Sequence, residues 1–141
     1  MKDDCALLNH IRQTTEMGIN GIDSVMDYTD GTMREALIQQ RTEYADMHKT
    51  ADELLKQHNG TPENVGVFAK WSSELSSGMK TMMDSSQSNI ADMMIQGNTM
   101  GVTKSLQTIR DYNGSDHAVM KLAHKLLDTE NANIEQMKHF L

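Results

Sequence analysis

The residues most able to do chemistry are carboxylates sitting where apolar side chains are expected. In the last quarter of the chain, from Ser115 to Leu141, the residues Ala123, Leu127, Glu130, Ile134, Met137 and Leu141 recur at spacings of four and three. Val119, Leu122 and Leu126 widen that stripe, and the period is that of the buried face of an α-helix. Glu130 interrupts the apolar run at mid-helix, with Asn133 one turn on. A carboxylate in that position is a ligand, a buried hydrogen-bonding group or a residue at the edge of a bundle. Glu16, Glu43 and Asp46 occupy comparable mid-helix positions earlier in the chain. Carboxylates alone suit hard cations such as Mn²⁺ or Mg²⁺, which accept all-oxygen ligands. The competing reading is a mid-bundle polar layer of Glu16, Gln40, Glu43, Tyr44, Asn98, Glu130 and Asn133, held by hydrogen bonds and fixing the register of the helices.

The elements that must position these residues are helical. One proline and 4% aromatic residues in 141 argue against a sandwich or barrel and for helices. Helix 1 is expected from Asp4 to Tyr28, with Leu8, Ile11, Thr15, Ile19, Ile22 and Met26 as its stripe. A second begins at the capping box Thr32-x-x-Glu35 and carries Met33, Leu37, Gln40, Tyr44, Met47, Ala51, Leu54 and His58 inward. Asn59-Gly60 ends it, with glycine as the left-handed cap. Thr61-Pro62-Glu63 opens a shorter helix to about Met83, bearing Phe68 and Trp71. A capping box at Asp84 to Gln87 starts the third long helix, which runs to Tyr112 with Ile90, Met94, Gly97, Gly101, Ser105 and Ile109 on one face. Ser115 is the expected cap of the last. Helices of about 25 residues are roughly 38 Å long, and four of them with a long second connection describe a four-helix bundle.

The pairs Asp27-Tyr28 and Asp111-Tyr112 precede the two tight turns, as in two related hairpins. Laying the second hairpin on the first puts Glu130 on Glu43 and Asn133 on Asp46. Here the chain resembles the ferritin-like superfamily, specifically its small bacterial members of unknown function. The resemblance covers the whole chain as a single domain and implies an all-α, ferritin-like four-helix bundle with a long crossover connection. It implies a carboxylate-bridged di-metal site, with a Glu from each of two helices and Glu-x-x-His from each of the others. Glu16, Glu43 and Glu130 match that pattern. Gln96 or an adjacent Met stands at the helix 3 position, and Asp46 and Asn133 stand where the histidines belong. The metal ligands carried over are therefore Glu16, Glu43, Asp46 and Glu130, for Fe or Mn, in an incomplete set.

Composition narrows the remaining classes. A formal charge of -7 with no basic stripe disfavours nucleic acid and anionic membranes. Cys5 is the only cysteine, and the first residues carry no long apolar run, so a cytoplasmic protein is expected. No segment approaches a membrane span in apolar length. The six histidines form no zinc-like cluster and are expected at the surface. No nucleophile elbow or glycine-rich phosphate loop is present. Thirteen methionines are expected to fill gaps between helices.

Two functions stand at this point. One is a non-catalytic bundle with no cofactor, acting through protein association. The other is an Fe- or Mn-binding oxidase or metal-handling protein with a reduced carboxylate site. A homodimer is expected because Met93, Met94 and Ile95 point about 100° apart and cannot share one core. Gly97, Gly101 and Ser105 line up at four-residue spacing and offer a groove to another helix. The alternative is that the segment bearing Phe68 and Trp71 covers that face within the monomer.

Overall fold

The computed structural model describes residues 3–63 and 86–141. The described residues are helical, in four long helices: α1 (Asp4–Val25), α2 (Gly31–Gln57), α3 (Gln87–Asp111) and α4 (His117–Lys138). None is long and apolar enough to cross a membrane. The expected short helix after Thr61 lies outside the described residues except at Pro62 and Glu63, which are not helical.

Each helix starts on a short polar side chain, though not always the expected one. Asp3 accepts from the Ala6 N–H, Ser86 from Asn89 and Asp116 from Ala118, each satisfying a donor of the first turn that has no helical partner. Ser86 and Asp116 take the places expected for Asp84 and Ser115. α2 is capped two residues early, at an extended Asp30, so Thr32 is its second residue and Glu35 its fifth, and the expected capping box does not form. Helix 1 tightens into a 3-10 turn over Met26–Tyr28, closed by the Thr29 hydroxyl donating to the Met26 carbonyl.

At the end of α2 the left-handed residue is Asn59, at φ 54°, rather than Gly60. Asn59 N–H bonds to the Lys56 carbonyl and Gly60 N–H to that of Leu55, the paired bonds of a Schellman motif. Gly60 is required by space instead: a Cβ there would lie 2.4 Å from Leu55 Cδ1 and 2.9 Å from Cys5 Sγ. The buried Asn9 amide then holds the outgoing chain, donating to the Thr61 carbonyl and accepting from the Glu63 N–H.

Cross-helix bonds give the helix directions. Tyr112 donates to Asp4, and His10 Nε2 lies 3.0 Å from Ser105 Oγ, so α3 ends where α1 begins. Gln40 donates to Gln136, and His58 Nε2 meets Asp116 Oδ2 at 2.7 Å, so α4 begins where α2 ends. The course is up, down, down, up. α1 neighbours α2 and α3, and α4 neighbours α2 and α3.

The core is built from Leu7, Leu8, Ile11, Ile22, Leu37, Met47, Leu55, Leu126 and Met137, all at or below 1% exposure. α3 gives it only Ile90 and Ala91 as buried apolar residues. Its other buried residues are small or polar, namely Asn98, Gly101 and Ser105, while Met93, Met94, Ile95 and Ile109 pack half-buried against the core. All nine methionines among the described residues are buried or half-buried, the gap-filling role their flexibility suits.

Candidate functional site: a buried carboxyl cluster at mid-bundle

Of the four candidate metal ligands only Glu130 is buried, at 2% exposure. Glu16, Glu43 and Asp46 are exposed. So is Gln96, which donates to Asp92 on its own helix. Neighbouring positions on a helix differ by 100°, and the inward slots beside Glu16 and Glu43 are taken by Thr15, Met17 and Tyr44. The described residues contain no group of three or more His, Cys, Asp or Glu side chains that could hold a metal ion. Glu16, Glu43, Asp46 and Glu130 therefore do not converge. The donor set the resemblance implies is not assembled.

What converges is the other polar set. Tyr44 on α2, Asn98 on α3, and Glu130 and Asn133 on α4 meet at one phenolic oxygen. Tyr44 Oη lies 2.8 Å from Asn98 Oδ1 and 3.0 Å from Glu130 Oε2, and accepts from Asn133 Nδ2 at 3.2 Å. All four residues are at or below 5% exposure. Gln40 belongs to a separate pair with Gln136.

Glycines make the room. A Cβ at Gly18 would stand 2.7 Å from the Tyr44 ring, and one at Gly101 would stand 2.3 Å from Glu130 Oε1. The row expected to receive a foreign helix is thus turned inward. Gly101 lies against Glu130, Ser105 meets His10, and Gly97 lines a cavity of about 30 Å³ with Thr14, Met17, Gly18, Met94 and Asn98. A space of that size is on the scale of a single water.

The environment sets the protonation. Burial pushes the Glu130 carboxyl up to about 8, against a smaller opposing effect of the Tyr44 hydrogen bond. Burial, then the nearby Glu130, raise the Tyr44 hydroxyl well above its ordinary range. Proton counting agrees. Tyr44 has one proton and two oxygen neighbours besides the Asn133 donor. If Tyr44 donates to Asn98, the contact with Glu130 is a hydrogen bond only when Glu130 brings its own proton. A neutral Glu130 then donates to Tyr44 and leaves no buried charge, the costly alternative.

Three histidines expected at the surface are instead half-buried in cross-helix contacts. His48 Nδ1 lies 3.1 Å from Thr15 Oγ1, and its Nε2 approaches Asp52, which also pairs with Arg12. His58 and the Ala118 N–H, in that order, hold Asp116 below the usual carboxylate range. His10 reaches Ser105. Burial, followed by its bond to Asp4, raises the Tyr112 hydroxyl to about 12. The available signal for His48 was Asp52 at the helical i,i+4 spacing. The cross-helix partners of His48, His58, His10 and Tyr112 are 33 to 108 residues away, beyond any local pattern.

Compared with protein-family models, curated proteins and solved structures, the chain matches none.

Proposed function

We propose that this chain is a non-catalytic bundle of ferritin-like type that acts through protein association, first of all with a second copy of itself. The observation that carries the reading is Glu130. It is the sole buried acidic residue among the described residues, and its hydrogen-bond partner is the Tyr44 phenol, itself held by two buried amides, rather than a carboxylate or an imidazole. Such a cluster aligns three helices by directional bonds, a register role known for buried polar layers.

Two features support the ferritin-like part. The helices run up, down, down, up, and the parallel α2 and α3 are joined by 29 residues, from 58 to 86, which suits the long crossover of that architecture. A cytoplasmic setting fits a chain whose one cysteine is unpaired. Under the competing Fe or Mn reading, Glu130 would have to give up Tyr44 and recruit carboxylates that now face solvent.

Sedimentation equilibrium at micromolar concentration tests the association. The expected mass is twice 15.8 kDa. A single-chain mass throughout the range would refute self-association.

A further inference from the structure

The outward face shared by α2 and α4 carries opposite charge at its two ends. Of the neighbouring helix pairs these two meet least closely, and the seam between them opens into two grooves. Near the start of α4 a groove of about 770 Å³ has Leu54 and Leu122 along its length, with Lys121, His124 and Lys125 on the α4 wall and Asp128 at its inner end, so that the two lysines leave it a positive excess. Near the end of α4 a second groove of about 330 Å³ lies between Glu43 and Glu135.

Both grooves open on one face. Lys121, Lys125, Asp128, Ala132 and Glu135 follow one another at spacings of four and three, a single stripe along a helix. Glu43 and Thr50 face them from α2, at spacings consistent with one stripe there. Among the described residues neither lysine is ion-paired, nor is Glu43, while Glu135 meets only Lys138 on its own helix. Unpaired lysines beside an apolar floor are a notable feature in a chain of charge -7.

We propose that this face is the contact between two copies of the chain, related by a two-fold axis across it, so that the basic groove of each copy lies on the acidic groove of the other. A face with opposite charge at its ends is self-complementary under such a rotation, and isologous pairing is the commonest way for identical chains to associate. Parallel stacking would oppose like charges. Burial along Leu54 and Leu122 supplies the non-directional attraction, and the charged rims fix the orientation. The α3 row is not available for the same task, because its small residues are already packed against α1 and α4. The inference rests on the self-association reading above and assigns its surface.

The experiment is sedimentation equilibrium of the full chain in three forms: wild type, Lys121→Glu with Lys125→Glu, and Glu43→Lys with Glu135→Lys. All four positions are exposed, and circular dichroism checks that each form keeps its helices. The wild type is expected to dimerise, and each double variant to do so about tenfold more weakly or less. An equimolar mixture of the two variants, one copy with two acidic grooves and the other with two basic ones, is expected to regain the dimer. Variants that dimerise as tightly as wild type would overturn this surface while leaving self-association standing. The same holds for a mixture that stays monomeric. A wild type that is monomeric throughout would remove both.

Discussion

Replacing Glu130 by Gln should change the pH dependence of stability while keeping the shape of the side chain. The native carboxyl sits at about 8 against an ordinary value of 4.5, so between those values the folded chain holds a proton the unfolded chain has released. Its stabilising effect is then fully present below the ordinary value and is lost as pH rises through about 8. At about 1.4 kcal/mol per unit, the loss across the window is on the order of 5 kcal/mol. Gln keeps the shape and an N–H to offer the Tyr44 oxygen, but has nothing to ionise. The variant should match wild type near pH 5 and exceed it by about 4 kcal/mol above pH 8. Urea unfolding at a series of pH values reads this directly, because the difference between the two proteins cancels the titration of every exposed group. Parallel stability curves, with a constant gap from pH 5 to 9, would refute the buried neutral carboxyl.

The same cluster makes further predictions. Tyr44→Phe removes the oxygen shared by Asn98, Glu130 and Asn133 and should cost about 2–3 kcal/mol for the buried groups left unpaired, measured by chemical denaturation. Gly101→Ala places a methyl 2.3 Å from Glu130 Oε1 and should destabilise by about 1–3 kcal/mol, with a comparable loss in Gly101→Ser and little in an alanine at the exposed Thr103. For Asp116, held below its ordinary value by His58 and the Ala118 N–H, the sign is reversed. Its contribution is present above the ordinary carboxylate range and disappears as pH falls through the lowered value. Asp116→Asn, which keeps a cap, should therefore be less stable than wild type at neutral pH and approach it in acid, as followed by acid unfolding.

Local patterns carried much of the architecture. The four-and-three alternation of α2 marks eight residues as inward-facing, of which Met33, Leu37, Gln40, Tyr44, Met47 and Ala51 are buried, whereas Leu54 and His58 are half-buried and Leu55 takes the inner place at the end of the helix. Helix ends were legible to within a few residues, but the capping residue was not, because serine, threonine and aspartate at adjacent positions compete for the same backbone donors. Leu127 and Ile134 fell at half exposure and Leu141 outside, since α4 presents Leu126, Glu130, Asn133 and Met137 along its innermost line.

The polar layer was readable as residues and not as a site. Glu130 stood out because an acid on an apolar stripe is conspicuous. Tyr44 and Asn98 fall in the same expected layer as Glu16, Gln40 and Glu43, but nothing local says that they meet Glu130 and the others do not, because the Tyr44–Asn98 contact spans 54 residues. Glu16 and Glu43 looked equivalent to Glu130 because stripe edges and stripe centres differ by only one position. The inner face of α3 was misread for a related reason. Small residues at four-residue spacing mark close approach, and sequence does not say whether the approaching group is another chain or Glu130 of the same one.

The central claim is that Glu130 is used up inside the bundle rather than offered to a metal. Elemental analysis after incubation with Mn²⁺ or Fe²⁺ and removal of excess tests it most directly, with wild type beside Glu130→Gln. Background metal in both proteins is the predicted result. Stoichiometric Mn or Fe in the wild type, lost in Glu130→Gln, would contradict it.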